Sequence, residues 1–432
     1  MIKQIVILLL VAVQPAFSQD IDQLMKAYDF NGSVLVAQHG QILLKKGYGF
    51  SDVKSNKMND ENTVYQIASI TKTFTSALIL KLNELHLLSL TDKLSKYYPD
   101  YPKGDSITIE SLLTHTSGVY NYTMNGEFMR HADQPADEAG MLSLFKDQPL
   151  DFSPGTGWNY SNSGYMLLGY ISQKVTHLSY QEAVKKYIFH PLKMNSSGFD
   201  FAHLANRATG YNSDSFNVAS IVDSSVSYAA GSIYSTVVDL YKWHEGFGKV
   251  INETSSHKAL TPFKNNYGYG WQIDSIYGHK EVSHSGGIWG FRSNFARVPA
   301  DDICVILLSN TETMALDGIT KKIFAILYHQ PYQIPEKIAF VKLSEDVLQR
   351  YAGTYKLTTP HELVIEMKIE NGELVSYPSR GPRSVLRAID ETHFYLSENR
   401  DFRISFIIEN GKVTSIVIAN NGITGVAARL SL

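Results

Sequence analysis

Ser69 and Lys72 frame the run Ser69-Ile70-Thr71-Lys72, which is followed by Tyr160-Ser161-Asn162 and later by His284-Ser285-Gly286-Gly287. A hydroxyl nucleophile, an amine able to take its proton, a phenol proton carrier and a glycine-bearing backbone are the parts of covalent acyl transfer without a metal or other cofactor. On a helix, Ser69 and Lys72 lie one turn apart on one face. The helix N-terminus also favours negative charge developing there. S-x-x-K is weak alone, since it also starts at Ser51, Ser143 and Ser255. Ser69 is singled out because it heads an apolar pattern, with Phe74, Ala77, Leu78 and Leu82 at helical spacing and no Gly or Pro through Leu88. The competing reading is an N-capping serine.

The other two motifs need loop and strand. Tyr160 follows Ser153-Pro154-Gly155-Thr156-Gly157, a turn-rich stretch that places it on a loop. A phenol of pKa near ~10 is a poor base, and a lysine ammonium beside it lowers that value. Tyr160 would then take the proton of Ser69 and pass it to a leaving group, while Asn162 offers its amide to a substrate carbonyl. The bland alternative is a buried tyrosine bonded to backbone. His284 follows Val282 and precedes the strand-like Phe295–Val298, so His284 to Gly287 is expected on an edge strand. Its glycines allow close backbone approach. The N–H groups of Ser69 and Gly287 would form the oxyanion hole, where one donor is worth about 10²–10³ in rate. Ser285 and Gly286 read as substrate-binding. His284 would bond Tyr160 or a substrate carboxylate, although a lone histidine is more often structural.

The elements that must carry these motifs are a helix over Ser69–Leu88, another over Tyr165–Val175, and strands at Gly32–Ala37, Gln41–Tyr48, Phe295–Val298 and Ile303–Leu308. Ile21–Phe30 and Gly318–Tyr328 read as flanking helices. Beyond Gln330–Pro335 the pattern changes. Asn371-Gly372, Asn410-Gly411 and Asn421-Gly422 are hairpin signals, and residues 345–432 read as a small all-β meander or barrel. At the other end, Lys3, the apolar run Ile5–Val13 and Ala16-Phe17-Ser18 read as a secretory signal over residues 1–18, cleaved before Gln19. Residues 19–335 would then be the catalytic domain of an exported, periplasmic or secreted protein with no stable membrane span. The 432 residues carry a net charge of −3, with 44% apolar and 19% charged residues, which argues against nucleic acid as the main partner. Cys304, the one cysteine, allows no intramolecular disulfide and no thiolate zinc site.

In this combination and order the motifs resemble the serine β-lactamase and penicillin-binding family: class C β-lactamases, DD-peptidases, D-aminopeptidases and related esterases. Ser69 and Lys72 match its first motif, Tyr160 and Asn162 the second, and His284 to Gly286 the third. Leu112–Gly118, Tyr267–Trp271 and Ala230–Ser235 look like further landmarks, so the resemblance covers about residues 25–330. It implies an α/β (α+β) catalytic domain with an antiparallel sheet and a helical subdomain. The C-terminal module resembles the lipocalin-like appendages of some members. One departure counts: the family's β-lactamases usually carry Lys-Thr-Gly where this chain has His284-Ser285-Gly286. A histidine of pKa near ~6.5 is mostly neutral at pH 7 and attracts a carboxylate less. The resemblance therefore implies a serine hydrolase acting through an acyl-enzyme on amide or ester bonds, of D-amino-acid peptidase or esterase type. A class C-like β-lactamase is the alternative, and a non-catalytic wall- or ligand-binding protein a second. Its partner would be a small-molecule, peptide or peptidoglycan-like substrate, with the oligomeric state open.

Overall fold

Ile303–Ser309 is a strand whose seven residues are all buried, as expected of an apolar run covered on both faces. In the structure, a computed structural model, the described residues are 17–430 without 213–216, 314, 336–338, 359–361, 380–382, 397–398 and 421–422. The first sixteen residues of the expected signal and the Asn421-Gly422 turn lie outside them. The described part has two compact units, Asn31–Asn212 with Val218–Glu312, and Asp20–Phe30 with Thr313–Leu432.

The first unit is built on a six-stranded antiparallel sheet. Its strands are β1 (Gly32–Gln38), β2 (Gln41–Tyr48), β3 (Gln272–Ile276), β4 (His279–Ile288), β5 (Phe291–Val298) and β6 (Ile303–Ser309), in the order β2-β1-β6-β5-β4-β3. The N-terminal hairpin is thus completed by strands from the far end of the unit, Gly32 pairing with Ser309. The helices that bear on the site are α2 (Thr71–Glu84), α3 (Asn162–Thr176), α4 (Ser224–Gly231) and α5 (Val237–Val250). Helix α2 is buried along most of its length, and Phe74 stacks on Trp243 of α5 at 4.5 Å. The sequence suggested a helix running to Leu88. It stops at Glu84 because His86 turns left-handed (φ 57). Helix α3 starts three residues earlier than its apolar pattern, because Ser161 caps it by accepting the Gly164 N–H.

The second unit holds residues 20–27 of helix α1 (residues 17–27), helix α6 (Leu316–Leu327), the short α7 (Glu345–Gln349) and a closed antiparallel barrel. Its eight strands are β7 (Gly353–Leu357), β8 (Leu363–Glu370), β9 (Glu373–Pro378), β10 (Ser384–Ala388), β11 (His393–Leu396), β12 (Asn399–Glu409), β13 (Lys412–Asn420) and β14 (Ile423–Leu430). Asn371 and Gly372 (φ 51 and 76), and Asn410 and Gly411 (φ 51 and 75), supply the paired positive φ of tight hairpins. Side chains fill the inside: Tyr355, Phe394, Phe406 and Ile416 are buried together, and α7 adds Leu348 to them. Asp401 accepts from Tyr28 Oη (2.7 Å) and pairs with Lys322 of α6 (3.1 Å). Among the described residues no helix is long and apolar enough to cross a membrane.

Candidate active site

Ser69 lies in a single 3₁₀ turn, Ala68–Ile70, that runs into α2. Neither the turn nor the helix has a side-chain cap, so Ser69 is not the capping serine of the competing reading. Ala68 takes φ 48, a left-handed conformation uncommon for a residue with a Cβ. Lys72 is one turn on and fully buried. Its Nζ is 3.1 Å from Ser69 Oγ, 2.8 Å from Asn162 Oδ1 and 2.8 Å from the Ala230 carbonyl.

Those three contacts define the chemistry of the amine. Asn162 Oδ1 and the Ala230 oxygen can only accept, so they use two N–H bonds. An ammonium would donate to all three oxygens, whereas a neutral amine has two N–H bonds and turns its lone pair to the Ser69 hydroxyl. Burial pushes the Lys72 amine well below the ordinary lysine value, which favours that neutral form. The Asn162 amide is oriented by Asn121, whose Oδ1 faces both the Asn162 N–H (3.1 Å) and Nδ2 (3.3 Å). The Ala230 carbonyl is aimed by a break in α4, where Tyr228 sits at φ 36 and ψ −132. At that helix end the Ala229 carbonyl accepts from Thr75 Oγ1 (2.7 Å) and the Ala230 carbonyl from Lys72.

Tyr160 is on the loop before α3 and is hydrogen-bonded with Ser69. The sequence led us to expect a lysine cation that lowers its pKa. The reverse holds, since burial pushes the Tyr160 phenol up, with only the Ser69 bond opposing. Burial disfavours both the Lys72 ammonium and the Tyr160 phenolate, so the pair is pushed toward a neutral amine beside a protonated phenol. The ring is braced by His115, centroid to centroid 4.4 Å, and His115 Nδ1 accepts the Ser161 N–H at 3.1 Å. His115 is buried and its pKa lies well below the usual histidine value, from desolvation first and Lys72 second. Its Nε2 is buried without a hydrogen-bond partner.

The third motif alternates. His284 and Gly286 are buried, whereas Ser285 and Gly287 are exposed. Strand β4 is second in the sheet, but its pairing with β3 ends at Ser283, so 284–287 runs past the edge strand. The expected edge position is therefore met only over this stretch. A Cβ on Gly286 would stand 2.3 Å from the Ile67 carbonyl oxygen and 2.3 Å from Ser293 Oγ, so glycine alone lets the strand lie against the Ser69 turn. His284 does not bond Tyr160. Its Nε2 meets Tyr267 Oη at 2.9 Å and its Nδ1 meets the Ser285 carbonyl at 2.6 Å. The carbonyl can only accept, which fixes the proton on Nδ1 and makes Tyr267 the donor to Nε2. Burial, then Lys72, lowers the His284 pKa to about 3.

The structure thus gathers Ser69, Tyr160, Asn162, His284, Ser285 and Gly287 along one cleft, with Lys72 beneath Ser69 and Gly286 behind the strand. Ser51 and Ser143, which head other S-x-x-K runs, instead bond backbone carbonyls. Sequence reasoning missed the parts played by His115, Asn121 and Tyr267. His115 and Tyr267 stood in stretches read only as landmarks, and Asn121 carried no signal.

A β-lactamase family model matches residues 17–330, and the chain belongs to that family. It is a serine hydrolase. A penicillin-binding protein of Bacillus subtilis (strain 168) is 30% identical over 430 residues, covering 90% of this chain and 94% of the relative. The teichoic acid D-alanine hydrolase of Staphylococcus aureus is 29% identical over 248 residues, 56% of this chain and 58% of that protein. An octameric penicillin-binding protein homologue from Pyrococcus abyssi shares the fold at TM-score 0.66 and 23% identity, over 95% of this chain and 99% of its own.

Proposed function

We propose that the chain cleaves ester or amide bonds through an acyl-enzyme on Ser69, as a D-amino-acid-type peptidase or esterase rather than a β-lactamase. The observation that carries this is the buried Lys72 amine, 3.1 Å from the Ser69 hydroxyl. In the first step Lys72 takes the hydroxyl proton as Ser69 Oγ bonds to the carbonyl carbon. The oxyanion accepts from the N–H groups of Ser69 and Gly287. Tyr160 gives its proton to the leaving group as the carbon–heteroatom bond breaks, and the Lys72 ammonium re-protonates Tyr160. Water then attacks the acyl carbon, and its proton returns Ser69 to the hydroxyl.

A penicillin carries a carboxylate, and His284 has no positive charge to offer it, being neutral and tied to Tyr267. The staphylococcal relative's name, a D-alanine hydrolase, also supports esterase or peptidase chemistry. The N-terminal pattern of Lys3, Ile5–Val13 and Ala16-Phe17-Ser18 supports export, periplasmic or secreted. One preparation of the expressed full-length chain tests both points. Its intact mass is expected to fit a chain beginning at Gln19. A fluorophosphonate is expected to add one label, mapped by peptide digestion to Ser69. Ester hydrolysis is expected to outrun nitrocefin hydrolysis at equal enzyme. A label on another residue, or nitrocefin as the faster substrate, sinks the corresponding part.

A further inference from the structure

The cleft divides at Ser69 and Gly287, which line both of two cavities, of about 350 Å³ and about 270 Å³. Tyr160 lines the first and Asn162 the second. If Tyr160 protonates the leaving group, the leaving group must occupy the first arm and the acyl group the second. This assignment rests on the function proposed above.

The second arm is apolar. Tyr122, Phe128, Val222, Ile288 and Trp289 form its walls. Tyr122 presents its ring, because its hydroxyl donates to the Val226 carbonyl at 2.9 Å. At about 30 Å³ per water, about 270 Å³ holds roughly nine waters, or one phenyl ring or short alkyl chain. The first arm is polar but uncharged, with Trp158, Asn265, Tyr267, Gln272 and His284 around it. Among the described residues lining either arm there is no Asp, Glu, Lys or Arg. The cations next to the cleft are taken up by other groups. Lys264 donates to the Thr156 carbonyl at 2.8 Å. Arg292, which lies against Gly287 across the sheet, donates to the Ile288 and Phe291 carbonyls at 3.0 and 2.9 Å, and its charge is matched by Glu312 at 3.7 Å.

We infer that the substrate is uncharged on both sides of the scissile bond, with an apolar acyl group in the Trp289 arm and a neutral leaving group in the Tyr267 arm. A free ammonium or carboxylate entering either arm loses water and meets no opposite charge, which is costly. An apolar acyl group gains by burial. Within the proposed function, this selects simple carboxylic or N-acylated esters and amides, and it sets aside aminopeptidase and carboxypeptidase substrates, whose free ammonium or carboxylate would have to enter one of the arms.

Three substrate pairs test it with the purified full chain at pH 7, rates being corrected for uncatalysed hydrolysis. Phenyl hexanoate is expected to exceed phenyl acetate in kcat/KM by at least about 10-fold. The 3-phenylpropanoyl phenyl ester is expected to exceed both enantiomers of the phenylalanyl ester, the same skeleton with an ammonium, by a similar factor. A phenyl ester is expected to exceed its 3-carboxyphenyl counterpart likewise. Trp289→Ala is expected to lower the hexanoate-to-acetate ratio about 10-fold. If that variant does not fold, the wild-type pairs decide alone. A flat chain-length series, or preference for the ammonium or carboxylate member, overturns the inference. A methyl fluorophosphonate is applied to the same samples. Labelling at Ser69 with the wrong preferences sinks only this inference, whereas no label at Ser69 sinks the reading beneath it.

Discussion

Ser69→Ala is expected to lower kcat/KM for an ester by about 10⁶-fold and to abolish fluorophosphonate labelling, with the fold kept. Removing the nucleophile of a comparable serine hydrolase removes nearly all the chemistry, because the other groups act only through it. The fold survives because Ser69 caps nothing. Lys72 keeps its bonds to Asn162 and Ala230 at 2.8 Å each. The lost hydroxyl bonds are worth about 1 kcal/mol each, so the melting temperature should move by only a few degrees. Steady-state kinetics, intact mass and a thermal scan decide. Turnover above about 1% of wild type in a folded variant would remove Ser69 from its assigned role.

Lys72→Met is expected to cost about 10⁴-fold in acylation, the upper range for a positioned general base. The pH profile discriminates between a base and a mere strut. Burial lowers the Lys72 pKa, so the wild-type rate climbs with pH as the amine loses its proton and levels off above that lowered value. The variant should lack that limb. His284, held near 3, contributes none in the neutral range. Stability carries the same signature with a definite sign. Between the lowered folded pKa and the ordinary unfolded one, the unfolded chain holds a proton that the folded site does not. Wild-type stability should therefore rise with pH across that window, and the rise should vanish in the variant. Methionine also strands two buried acceptors, costing about 1–3 kcal/mol each, so the slope and not the absolute stability is diagnostic. Denaturant midpoints against pH measure it. A variant that keeps the limb would show that another group is the base.

Most of this site could be read from the chain because its parts are local. Ser69 and Lys72 meet through one helical turn, Asn371-Gly372 and Asn410-Gly411 make their own hairpins, and the motif order identified the family. What stayed hidden depends on residues distant in sequence. The direction of the Tyr160 pKa was misjudged because burial is a tertiary property, and it outweighs any nearby amine once that amine is itself desolvated. His284 was assigned to Tyr160 or substrate because nothing in the sequence places Tyr267 against its ring. The Tyr228 break has no composition signal, since Ser227-Tyr228-Ala229 holds neither Gly nor Pro at the bend, yet the Ala230 carbonyl beyond it meets Lys72.

The pairing of β1 with β6 also sets a timetable for synthesis. Ser309 Oγ donates to the Asn31 carbonyl across 278 positions. At about 5–20 residues per second, roughly 15–55 s pass between these two partners leaving the ribosome, given that separation. Throughout that interval the nascent hairpin shows an open apolar strand edge, of the kind that attracts other chains. Its sheet is built by long-range closure, which is slow. That edge stays uncovered until residues 303–309 have been made and pair with it.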